Sequence, residues 1–108
     1  MTSHSTSAIA WRGAWLRSQL DHLPPLAAAS ALAGSDWIAA RTRRMQALDR
    51  LVEQLTAMPD RPTVRPDGGG ARVRMMGITC TSTMGIEGAL KNWLTRAQSL
   101  VVALAAAR

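Results

Sequence analysis

Apolar residues recur along this chain mostly at helical spacing. Ile9, Gly13, Leu16, Leu20 and Leu23 follow steps of four and three, which places them on one side of a helix. The hydroxyls of Ser5 to Ser7 can cap free amides, so a helix is predicted from there to about His22, with Pro24 and Pro25 ending it. Trp11, Trp15, Ser18 and His22 fall on the opposite side. Such a helix has two apolar faces. Either it is sandwiched between other helices, or one face meets a partner.

An Ala-rich helix is predicted over Pro25 to Ala33, closed by Gly34. Ser35 or Asp36 then caps a long helix from about Trp37 to Ala57, which Pro59 ends. Its stripe is Ile38, Met45, Leu48, Val52 and Leu55, flanked by Leu51 and Met58, and Arg41 falls on that stripe. Residues 59–70, PDRPTVRPDGGG, read as a Pro/Gly-rich internal linker or loop. Residues 71–76 alternate, with Arg72, Arg74 and Met76 on one face and Val73 and Met75 on the other, which predicts a strand. It can form a hairpin in which Thr63-Val64-Arg65 pairs with Arg72-Val73-Arg74, with Pro66 at an edge or turn. A strand cannot stand alone, because its amides need partners. It pairs either in that hairpin or with a second copy of the chain.

The last helix is predicted from about Met84 to Ala107. Ile86, Leu90, Trp93, Ala97, Leu100, Leu104 and Ala107 form an unbroken four-three stripe, and Glu87 and Lys91 make a favourable i,i+4 pair. Thr81, Ser82 and Thr83 are expected to cap its N-terminus. Gly85 and Gly88, three apart in its first turns, imply that another backbone crosses closely there, with the strand at 71–76 as the candidate. The pattern as a whole predicts one small helical domain over residues 1–108. It would be a mostly α bundle of about four helices with one short strand or hairpin before the C-terminal helix.

Composition modifies this picture in two places. Phe and Tyr are absent and four Trp supply all the aromatic bulk, so the core must rest on Leu, Val, Ile, Met and Ala. The net charge is +6, which favours an anionic partner. All but one of the basic residues are Arg, however, a bias that a GC-rich gene produces whatever the function. The N-terminal segment lacks the pattern of a secretory signal, and the apolar run from Leu100 to Ala107 is too short to span a bilayer. A bacterial, cytoplasmic protein is the expectation.

Candidate chemistry is sparse. Cys80 is the one cysteine, which rules out an internal disulfide and a cysteine-based zinc site. A thiol near a helix N-terminus can be acidified, yet the phosphatase-like pattern would need Arg where Ile86 stands. The only histidines, His4 and His22, offer no base. No phosphate-loop pattern follows Gly68 to Gly70, and no ligand spacing suggests a metal or other cofactor.

The expectation is therefore a small non-enzymatic regulatory or adaptor protein, without catalytic residues, acting by protein–protein binding. Its partner-binding residues would be Trp11, Trp15 and Trp93, and its partner an unidentified protein, with a homodimer as one arrangement. The alternative is a DNA- or RNA-binding transcriptional regulator using Arg41, Arg43 and Arg44 on helix 37–57 together with Arg72 and Arg74 on the strand.

Overall fold

A computed structural model describes residues 5–25 and 35–107. Helix α1 spans Thr6–Asp21 and α2 spans Ser35–Thr56; strands β1 (Thr63–Asp67), β2 (Gly70–Met75) and β3 (Ile78–Ser82) follow, and α3 (Gly85–Ala106) closes the chain. The three strands form one antiparallel sheet in the order β1-β2-β3. This overturns the expected bundle of about four helices with a single strand or hairpin: the described residues hold three helices and a three-stranded meander. The helix expected over 25–33 lies mostly outside the described residues.

The third strand explains the difference. Ile78-Thr79-Cys80-Thr81-Ser82 is rich in β-branched residues and alternates, with Ile78, Cys80 and Ser82 on one side and Thr79 and Thr81 on the other. Its hydroxyls had suggested a helix cap. The turn into it is Met76-Gly77, with φ of 53° and 77°, so both central residues adopt the left-handed conformation of a tight hairpin turn. Methionine is an unusual first residue for that turn, and the hairpin signal is therefore faint in the sequence.

The other hairpin starts inside residues 59–70, which hold β1 and the turn into β2. Thr63 pairs with Arg74, Val64 with Val73 and Arg65 with Arg72, closing around Gly68 and Gly69. Pro66 lies on an edge strand opposite Ala71, where its missing N–H breaks no rung of the ladder.

Ser5 caps α1, its Oγ accepting from the Ala8 amide at 3.1 Å. Met84, not a threonine, occupies the cap position of α3 and makes no side-chain cap bond. Ser82 Oγ instead accepts from the Met84 amide at 2.9 Å and shapes the turn from strand to helix. Gly88 is where that turn crosses the helix. A Cβ there would come 2.8 Å from Met84 Cβ and 2.5 Å from Ser82 Oγ, so the crossing element is the end of β3 and not residues 71–76.

The core lies between the inner face of the sheet and α3. Val73, Met75 and Ile78 from the sheet meet Leu90, Trp93 and Ala97 from α3, and α1 packs on α3 through Ile9, Leu16 and Leu20. Trp93 is fully buried, and its indole N–H donates to the Met75 carbonyl at 3.0 Å. Helix α2 sits rotated from its predicted face. Ala40, Leu51 and Leu55 point inward, while Ile38 and Met45 are 61% and 55% exposed. Arg44 shares the inward side, donating from Nε to Glu87 at 2.9 Å and from Nη1 to the Pro24 carbonyl at 3.1 Å. That guanidinium ties α2 to the start of α3 and the end of α1.

Candidate functional site

The sheet has one covered face and one open face. Because side chains alternate along a strand, the register places Thr63, Arg65 and Asp67 of β1, Arg72 and Arg74 of β2, and Thr79 and Thr81 of β3 together on the side away from α3. Ala71, Val73, Met75 and Ile78 on the other side are buried. On the open face Arg65 stands directly across from Arg72, and Arg74 stands between Thr63 and Thr79. Arg72 reaches Asp67 at 3.3 Å in an exposed ion pair. Arg65 and Arg74 have no carboxylate partner among the described residues.

The arginines expected on the long helix divide. Arg44 is committed to Glu87 and is not available to a nucleic acid. Arg41 places its guanidinium 5.6 Å from the centre of the Trp37 ring, a cation–π distance. Arg43 is exposed. The structure thus brings Arg72 and Arg74 together with Arg65, which sequence reasoning had not singled out. The proposed hairpin register already contained the signal, since it sets Arg65 opposite Arg72.

The three tryptophans expected to bind a partner have separate fates. Trp93 is in the core and offers no surface, because the α3 stripe it belongs to faces the sheet. Trp15 is half-buried against the core cluster. Trp11 is 77% exposed, on the side of α1 away from Ile9, Leu16 and Leu20. Near this end of α1, a cleft of about 300 Å³ runs between α1 and α3, lined by Ile9, Gly13, Leu94, Val101 and Val102 among others. The helix stripe of α3 outruns the sheet here: Leu90, Trp93 and Ala97 are buried, whereas Leu100 and Leu104 are exposed, as is Val102 off the stripe.

Cys80 is half-buried in a polar groove between β3 and α3 that also holds Thr79, Asn92, Thr95, Arg96 and Ser99. Burial pushes its thiol up from the ordinary value, against a smaller opposing effect of the Arg96 charge. Asn92 closes part of the sheet edge by donating to the Thr81 carbonyl at 2.9 Å. A raised pKa leaves the thiol protonated near neutrality, and a protonated thiol is a poor nucleophile. His22 is the C-cap of α1 and hydrogen-bonds through Nδ1 to the Ser18 carbonyl at 2.6 Å. No group of three metal-ligating side chains converges among the described residues. No helix among them is long and apolar enough to cross a membrane.

No known family model matches this chain, and no curated protein or solved structure matches it either.

Proposed function

We propose that this is a non-enzymatic adaptor or regulatory protein that binds another protein through the exposed apolar residues in the last turns of α3, with the exposed Trp11 on α1 as a second contact. The observation that carries this reading is the composition of α3 beyond Ser99: Leu100 to Ala107 contains no polar residue, yet Leu100, Val102 and Leu104 are exposed. A helix that is apolar on every side is ordinarily covered, and an exposed apolar patch beside a cleft marks an interaction surface. Trp11 adds the residue type most enriched at binding hot spots.

The reading is tested by affinity capture from the native cell extract, comparing the wild-type chain with Val102→Glu and Trp11→Ala variants. A specific partner retained by the wild type and lost by both variants supports it. Identical captured proteins from all three chains would dispose of it. Sedimentation equilibrium on the purified wild type reads whether the partner is a second copy of the chain.

A further inference from the structure

We infer that the open face of the sheet is a docking surface for the phosphate backbone of double-stranded DNA. It lies on the side of the sheet opposite α3 and so is independent of the protein-binding end proposed above.

The chemistry of the face consists almost entirely of donors. Three guanidinium groups, from Arg65, Arg72 and Arg74, are interleaved with the hydroxyls of Thr63, Thr79 and Thr81, and among the described strand residues Asp67 is the one acid on this face. Arginine and threonine are the side chains that grip phosphate oxygens. Like charges placed directly across a sheet are destabilising, and Arg65 and Arg72 are so placed; one exposed ion pair to Asp67 offsets only part of that repulsion. A polyanion would remove the rest. Arg72 and Arg74 lie two residues apart on one strand, about 6.7 Å, and the outer strands are separated by about 10 Å.

The same inventory argues against other anions. A protein interface needs a desolvated apolar or aromatic centre, and this face has none, whereas protein–DNA interfaces are polar and strongly positive. Single strands are held by stacking on aromatic rings, and no aromatic residue occupies any of these strand positions. Duplex RNA carries its phosphates around a deep, narrow major groove and a wide, shallow minor groove, a different spacing from that of B-DNA.

The test is fluorescence anisotropy of a labelled 20-base-pair DNA duplex of arbitrary sequence, titrated with the full chain at several salt concentrations. Three phosphate contacts predict a slope of log K against log salt of about −2.7, or about 40-fold weaker binding at 200 mM than at 50 mM salt. The doubly substituted chain R65A/R74A should show a slope of about −1, since each lost contact removes about one unit. Arg43→Ala on α2 should leave the slope unchanged, as should Val102→Glu, which separates this site from the protein-binding end. No binding at 50 mM salt overturns the assignment. So does an R65A/R74A slope equal to that of the wild type, a loss with R43A as large as with R65A/R74A, or equal affinity for poly-glutamate, single-stranded DNA or duplex RNA. The wild-type slope stands as a test even if a variant folds poorly.

Discussion

Trp93 and Met75 join α3 to the central strand by a single buried hydrogen bond, the indole N–H donating to the main-chain carbonyl at 3.0 Å. Eighteen residues separate them, and both side chains are buried. The bond fixes where along α3 the sheet is seated. It also lets the largest side chain of the core be buried without an orphaned donor.

Replacing Trp93 therefore tests the core directly. Trp93→Phe keeps the apolar character but removes the donor and one ring. It should cost about 2 kcal/mol, about 1 from the hydrogen bond and the rest from the cavity. Trp93→Ala should cost about 3–5 kcal/mol. Urea denaturation followed by circular dichroism measures both. A Trp93→Phe chain as stable as the wild type would show that the bond contributes nothing net.

Arg12 and Asp60 form a two-point pair, with Nη2 to Oδ1 at 2.7 Å and Nη1 to Oδ2 at 3.1 Å. It fastens α1 to the loop between α2 and β1. The side chains are 14% and 20% exposed, so the coupling should sit at the upper end of the range for such pairs, about 1 kcal/mol. Asp60 has a further interaction, so the single Asp60→Ala variant overstates the pair and a double-mutant cycle is needed. A coupling energy indistinguishable from zero would mark the pair as incidental.

Glu87 contributes a pH dependence on the acid side. The hydrogen bond from Arg44 lowers its pKa below the usual value of 4.5; burial opposes this, and Lys91 at 3.0 Å adds to the lowering. A carboxylate more acidic when folded stabilises the fold above its unfolded pKa, and that stability is lost as pH falls through the folded pKa. Unfolding midpoints should therefore drop as pH falls below about 4.3, the unfolded value. Glu87→Gln should be less stable at pH 7 and should lose part of that acid dependence. Parallel stability–pH curves for the two chains would contradict this assignment.

Gly88 sets helix propensity against space. In an open helix Gly88→Ala would gain about 1 kcal/mol. Here the new methyl group meets Ser82 and Met84, and displacing Ser82 breaks its bond to the Met84 amide. Overpacking of this kind costs about 1–3 kcal/mol, so the variant should be less stable than the wild type on balance. A rise in its thermal midpoint would show that the turn yields freely.

Much of the fold follows from sequence alone, because local periodicity and turn chemistry act within a few residues. The limits of α1 and α3, the Ser5 cap, the break at the prolines and the pairing of Thr63–Arg65 with Arg72–Arg74 are all of this kind. Decisions that depend on residues far apart were legible only in the tertiary structure. β3 exists because β2 offers it a ladder, and Met76-Gly77 hid the turn that joins them. α2 turns inward the side that carries Ala40, Leu51 and Leu55, and Arg44 on that side meets Glu87, 43 positions away. The spread of Trp11, Trp15 and Trp93 over surface, flank and core depends on how the helices pack: α3 turns Trp93 to the sheet, whereas α1 packs on α3 and leaves Trp11 outside. The candidate DNA surface was half visible as Arg72 and Arg74. The expected hairpin register already set Arg65 opposite Arg72; Thr79 and Thr81 joined the surface only when β3 paired with β2, since sequence spacing shows which residues share a face of one strand, and only strand pairing shows which strands share that face.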